Sequence, residues 1–301
     1  MNITVVGAVF VDIKGYSINK YIENGRNAGY IKEVHGGVAR NAAEDLARVG
    51  VGSRFVSLVD KSGTAIQVIR HLKDAGVDTE FVKEEESGMG TWMAIFDEKG
   101  DVVSNISVRP DILPLAKFID EKHKEIFENT DGILLEVDID ERVTERVFKY
   151  AELYQKKVYS FVSLMGDALE RKKYIKKSEC FICNRQEIGM LFNEDFEDSS
   201  IEELIKRLSQ KRREVGIKSL IVTLGADGSV YTSEDGQEGY CEAKKTKLVD
   251  STGAGDAFAA GAAAALGGKK SLKEACEIGT IMASDVITTT SNVCKKIDGL
   301  F

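Results

Sequence analysis

Val249-Asp250-Ser251-Thr252-Gly253-Ala254-Gly255-Asp256-Ala257-Phe258 leads directly into the alanine-rich segment 259–266. The pattern predicts a strand ending near Val249, a turn made by two hydroxyl residues and two glycines, and then a helix. That order of events builds an anion site. Gly253 and Gly255 permit close backbone approach, and the unpaired amides of the first helical turn point outward with the positive end of the helix dipole behind them. A Walker-type phosphate loop would need Gly-Lys-[Ser/Thr], and this stretch has no lysine. Asp256 is the unusual residue, because a carboxylate beside a polyphosphate repels it unless its charge has a task. It reads either as a general base for an attacking hydroxyl or as an acid that favours the helix start through the dipole.

The chain has 301 residues with 41 Lys+Arg against 49 Asp+Glu, a formal net charge of −8 that argues against nucleic acid or an anionic membrane as partner. Five scattered cysteines and the absence of a leader pattern or membrane-length apolar run point to a reduced, cytoplasmic protein. Cys180 and Cys183 form a C-x-x-C on a predicted strand, where residues three apart face opposite ways and cannot share a metal. They read as small buried hydrophobes. His35, His71 and His123 lack ligand-like spacing.

Asn2 to Val11 reads as one buried strand of a parallel sheet, with Asp12 at its carboxyl end, where open α/β sheets place ligands. Only Gly7 is present where a dinucleotide site would show G-x-G-x-x-G, which excludes a Rossmann dehydrogenase. His35-Gly36-Gly37-Val38-Ala39-Arg40-Asn41 opens a helix that stops at Gly50. Strand and helix patterns then alternate through 53–75, 132–183 and 201–224. Two stretches interrupt the alternation, about 14–34 and 90–108, and both read as extended hairpins. Trp92 reads as packing within the second. Glu136 closes a predicted strand, where it reaches a ligand or else caps a helix in solvent. Asn184 and Glu187 are spaced as a capping box, and Gly225-Ala226-Asp227-Gly228 is a turn between strands.

Taken in order, these motifs resemble the ribokinase-like (pfkB) family of carbohydrate and nucleoside kinases over essentially the whole chain. The signature Asp-[Ser/Thr]-[Thr/Ser]-Gly-Ala-Gly-Asp is complete at 250–256, and Gly-Gly-x-x-x-Asn is present at 36–41. The resemblance implies one ribokinase-like α/β domain over 1–301, with a mainly parallel sheet, helices on both faces, and a small β lid that also serves homodimerisation. It implies ATP-dependent phosphorylation of a hydroxymethyl group, with Asp256 as catalytic base and Gly253, Ala254 and Gly255 as anion hole. Asp12, Gly36, Gly37 and Asn41 would bind the acceptor, and Thr223, Gly225 and Gly228 the ATP.

Asn184 and Glu187 match the family's Asn-x-x-Glu element and imply Mg2+, partly through water. Asp250 and Thr252 match positions near a K+ site, although Asp250 reads equally well as a cap of the turn. Val38 and Arg40 depart from the ribokinase form of the glycine element. Gly-Gly-Val-x-Arg-Asn, with 12–17, is closer to the pseudouridine kinases and points to that nucleoside; Arg40 reads either as part of this specificity or as a solvated helix residue. Ribokinase, fructokinase and other nucleoside kinase activities are the alternatives, and a non-catalytic binding protein on the same scaffold would have no use for Asp256.

Overall fold

A computed structural model describes all residues, Met1–Phe301. The first half of the chain comprises β1 (Asn2–Val6), β2 (Val9–Ser17), β3 (Gly29–Gly36), α1 (Val38–Arg48), β4 (Gly52–Val59), α2 (Gly63–Asp74), β5 (Val82–Glu84), β6 (Met89–Phe96), β7 (Val102–Val108) and α3 (Leu113–Phe127). It continues with β8 (Gly132–Glu136), α4 (Glu141–Leu153), β9 (Val158–Phe161), α5 (Met165–Ala168), α6 (Lys172–Lys177), β10 (Cys180–Asn184) and α7 (Arg185–Phe192). The last third holds α8 (Ile201–Val215), β11 (Ser219–Thr223), β12 (Ser229–Ser233), β13 (Glu238–Cys241), α9 (Ala254–Gly267) and α10 (Leu272–Val286).

Nine strands form one sheet in the order β13-β12-β11-β10-β9-β8-β1-β4-β5, parallel from β5 to β11 and closed by two antiparallel strands. Its inner strands bury both faces, which is why they read as unbroken apolar runs, whereas the edge strands β5 and β13 stay largely exposed. Alternate side chains enter two cores: Ile133 and Leu135 pack under α3, α4 and α8, whereas Leu134 packs under α1, α9 and α10. Cys180 and Cys183 likewise fall on opposite sides. The strand order reverses around β1, so the carboxyl ends of β1 and β8 flank the crevice where such sheets receive ligands.

The first apolar run is two strands, not one. β1 stops at Val6 and β2 belongs to a separate four-stranded sheet of order β3-β2-β6-β7. The break lies at Gly7. A Cβ there would meet Ala39 Cβ at 2.3 Å and Glu136 Oε2 at 2.4 Å, so only glycine lets α1 and the Glu136 carboxylate close over the chain as it leaves the sheet. Asp12 therefore lies inside β2, in register with Val34 and Trp92, rather than at the end of the first strand. On its face of the small sheet Tyr16 stacks between Tyr30 and Phe96 at 5.0 and 4.7 Å, and Trp92 meets Phe96 edge-on. The opposite face leaves Ile31, Met93, Ile106 and Val108 exposed.

Two further elements differ from the sequence pattern. No strand precedes the signature turn: residues 242–253 run as an irregular segment, with Leu248 and Val249 exposed and Val249 N–H donating to Ile287 at 2.7 Å. The turn is held from α10 instead of from a sheet. The segment after Pro110, outside the strand and helix patterns read from the sequence, carries α3 with Pro114 in its first turn, where a missing N–H costs nothing. No helix is long and apolar enough to cross a membrane.

Candidate active site

Two helix starts meet here from opposite ends of the chain. Gly37 caps α1 at φ 96° and Gly253 caps α9 at φ 83°, neither with a side-chain cap, so both first turns keep free N–H groups, although Ala254 N–H donates to the Ser251 carbonyl at 3.2 Å. Gly253 has a second constraint, since a Cβ would lie 2.0 Å from the Asn292 carbonyl oxygen. Asn41 Nδ2 donates to Asp256 Oδ2 at 2.7 Å, joining the two glycine motifs across 215 residues. Asp12 completes the group: its carboxylate lies so close over Gly36 that a Cβ there would be 2.7 Å from Oδ1.

Asp256 is half-buried, and its carboxyl is pushed up to about 7. Burial is the main cause. The Asn41 hydrogen bond and the Arg40 charge oppose the rise, whereas the charges of Glu187 and Asp12 add to it. Asp12 is also raised by burial, against the pull of Lys14 and Arg40. Glu136 is neither a cap nor solvated: at 3% exposure it accepts Ala8 N–H at 2.9 Å, and burial with the neighbouring Asp138 charge raises its pKa. Asp138 is itself buried and takes Ser163 N–H, Ser163 Oγ–H and Leu164 N–H.

The solvated reading of Arg40 is overturned. At 1% exposure it is the largest fully buried side chain, paired with Glu44 at 2.5 Å and donating to the His35 carbonyl at 2.6 Å and to Asn41 Oδ1. Glu44, fully buried, also holds Arg48 at 2.6 Å and His71 at 2.9 Å. Asn292 reaches the same point from the C-terminal segment, donating to Asn41 Oδ1 at 3.0 Å and to the His35 carbonyl at 2.8 Å.

Asn184 and Glu187 form the reciprocal capping box of α7, each accepting the other's backbone N–H at 2.8 Å. This occupies Asn184 Oδ1 and Glu187 Oε2. Glu187 is raised by burial and by Asp138, so Glu136, Asp138, Glu187 and Asp256 form a mutually repelling group of carboxylates. Asp250 Oδ1 accepts Thr252 N–H at 2.9 Å, a local cap of the signature turn.

On the other side of the α9 start lies a cavity of about 1080 Å³. Thr223, Gly225 and Gly228 line it together with Ser251, Ala254 and Gly255 from the signature. Leu248, Ala283 and Ile287 supply apolar surface, and Lys244 and Lys245 supply positive charge. The α9 turn thus faces two ways, its backbone toward the cavity and Asp256 toward α1. Sequence reasoning missed Asp138, Asn292 and the two lysines. No local motif marks them: Asp138 and Asn292 reach the site from distant segments, and Lys244 and Lys245 lie on the irregular stretch just before the signature.

A model of the pfkB family of carbohydrate kinases matches residues 1–294, and the chain belongs to that family. It is a sugar or nucleoside kinase with a ribokinase-like fold. The chain is 31% identical over 303 residues to the guanosine-inosine kinase of Exiguobacterium acetylicum, covering 99% of both chains. It is 22% identical over 271 residues to the pseudouridine kinase of Escherichia coli K12, covering 87% of this chain and 82% of that one. Among solved structures, Arabidopsis thaliana ribokinase complexed with ribose and ATP superposes with a TM-score of 0.83 at 20% identity, covering 98% of this chain and 96% of that one.

Asp45 shows how closely the C-terminal segment is tied to α1. Its Oδ1 accepts Cys294 N–H at 2.7 Å, its Oδ2 has no partner, and burial pushes its carboxyl up to about 8. A group raised in the folded state from an ordinary 3.8 binds protons more tightly folded than unfolded, so its contribution is full below about 4 and is lost as pH rises through about 8. Asp45→Asn keeps the acceptor for Cys294 and removes the titration. Urea unfolding at pH 5 and pH 8 should show a smaller loss of stability with rising pH in the variant; equal losses in both proteins would refute the burial of a protonated Asp45.

Proposed function

We propose that this kinase transfers the γ-phosphoryl group of ATP to the hydroxymethyl group of a nucleoside, with Asp256 as general base. The observation that carries the reading is Asp256 on the first turn of α9, between the cavity and the Asn41–Asp12 group. ATP occupies the cavity with its base against Leu248, Ala283 and Ile287, in contact with Thr223, Gly225 and Gly228; the Arabidopsis ribokinase bound to ATP supports this use of the fold. The acceptor lies on the other side, held by Asp12, Gly36, Gly37 and Asn41 under the small sheet, which acts as a lid. Its hydroxyl attacks in line as Asp256 takes the proton. The amides of Gly253, Ala254 and Gly255 stabilise the charge that develops on the transferred group.

Glu187 and Asn184 would hold a hard divalent cation in part through water, Glu187 with the carboxylate oxygen that the capping box leaves free. Mg2+, when bound, neutralises phosphate charge. Asp250 and Thr252 are the candidates for a K+ site, because only one Asp250 oxygen is spent on the turn. The exposed Ile31, Met93, Ile106 and Val108 fit a homodimer formed through the outer face of the lid. A cytoplasmic location accords with ATP as co-substrate.

Two acceptors divide the specificity reading. The likeness to a guanosine-inosine kinase along the full length favours a purine ribonucleoside. The Gly-Gly-Val-x-Arg-Asn element, shared in form with pseudouridine kinases, favours pseudouridine. Both readings exclude free sugars as the best acceptors, because a site lined for a base leaves polar groups unpaired when the base is missing.

Asp256→Asn should lower turnover by ~10²–10⁴-fold with ATP still binding. In the wild type, kcat/KM should rise with pH through about 7 as the carboxylate forms, then level off. A variant that keeps more than about a tenth of wild-type turnover removes the base assignment.

A panel of guanosine, inosine, pseudouridine, uridine, ribose and fructose should give a nucleoside kcat/KM at least about tenfold above either sugar. Preferential consumption of ribose or fructose would refute the nucleoside reading. Run in potassium and in tetramethylammonium salts at constant ionic strength, the same assay removes the cation if the rates agree.

Ile106→Asp should shift the protein from dimer to monomer in sedimentation velocity. A wild type that is already monomeric at micromolar concentration rules out the lid interface.

A further inference from the structure

We propose that Arg40, anchored by Glu44, and Asn292, from the C-terminal segment, are positioning residues that lock the Asn41 amide so that its nitrogen must face Asp256. The inference rests on Asp256 as the base. An asparagine amide has an accepting end and a donating end, and the surroundings of Asn41 leave no choice between them. Its Oδ1 faces Arg40 Nη2, which can only donate, and Asn292 Nδ2 at 3.0 Å. Asn292 is itself oriented, because the same nitrogen donates to the His35 carbonyl at 2.8 Å. Rotating Asn41 by half a turn would set N–H groups against N–H groups in a buried site, with the full cost of unpaired donors. Asn41 Nδ2 is therefore committed to Asp256 Oδ2 at 2.7 Å, which leaves Asp256 Oδ1 to take the proton of the acceptor hydroxyl.

Arg40 cannot drift from this post. Its Nη1 is paired with a fully buried Glu44 at 2.5 Å, and Glu44 is held in turn by Arg48 and His71. Arg40 also has an electrostatic part. The charged groups that bear on Asp256 are Asp12 from β2, Arg40 and Asp45 from α1, Glu136 from β8 and Glu187 from α7. Arg40 is the cation among them, and its charge opposes protonation of the base.

Arg40→Gln, Arg40→Lys and Asn292→Ala separate geometry from charge, with Asp256→Asn assayed beside them. The measurements are kcat against pH, KM for ATP and for the acceptor, and the thermal midpoint as a check on folding. Asn292→Ala should lower kcat about tenfold, with KM for ATP unchanged and the ascending pH limb in place. Arg40→Gln should lower kcat further and move that limb upward by about 0.5–1 pH unit. Arg40→Lys should keep the limb near its wild-type position with kcat still low, since an ammonium cannot reproduce the planar fork. If Arg40→Gln does not fold, the other two variants decide. Folded variants with kcat within about twofold of wild type and an unmoved limb overturn the proposal, even while Asp256→Asn remains inactive. An active Asp256→Asn instead removes the base reading on which the proposal rests.

Discussion

One hydrogen bond, from Asn41 to Asp256, is the point at which the two halves of the site become one. It requires α1 and α9 to lie side by side on the same face of the large sheet with their N-termini together. That closeness is supplied by small residues. Ala39, Ala42 and Ala43 of α1 and the α9 alanines from Ala257 onward are buried in the same core. Larger side chains would hold the helix axes apart and lengthen a contact that works only at hydrogen-bond distance.

The site is also an electrostatic problem, with a local answer. Burial raises Asp12, Glu136, Glu187 and Asp256, repulsion from neighbouring carboxylates adds to the last three, and the structure offsets this with backbone donors, the Asn41 amide and one buried arginine. The balance leaves Asp256 near neutrality, where a carboxylate is a far better proton acceptor than at its ordinary value and still substantially ionised. A buried ion pair such as Arg40–Glu44 contributes little net stability. Its value lies in the single geometry that it imposes on its neighbours.

The division of the chain into two sheets follows from the same crevice. Gly7 lets the chain leave the large sheet at the strand-order reversal, and β2 carries Asp12 out over the α1 start. The small sheet thereby places one aromatic face and one carboxylate on the side of the α1 start and an apolar face outward.

Much of this was legible in the sequence because it is encoded locally. Apolar runs and their spacing specify strands and helices, and the turns at Gly36-Gly37 and Gly253-Ala254-Gly255 need residue types that few other structures would demand together. The capping box at Asn184 and Glu187 is local in the same way. What depends on distant segments was not legible. A continuous apolar run hides the break at Gly7, because only the approach of Ala39 and Glu136 makes a side chain impossible there. An exposed Val249 looks like a strand end until α10 is seen to hold it. Arg40 could be read as a solvated helix residue although Glu44, the His35 carbonyl and Asn41 all lie within five residues of it, because only packing with distant segments, Asn292 among them, takes its guanidinium out of water. The residue types of the site were thus determined by the sequence alone, whereas their orientation and charge state were decided by tertiary packing, because hydrogen-bond direction and desolvation depend on groups that meet only when the chain has closed on itself.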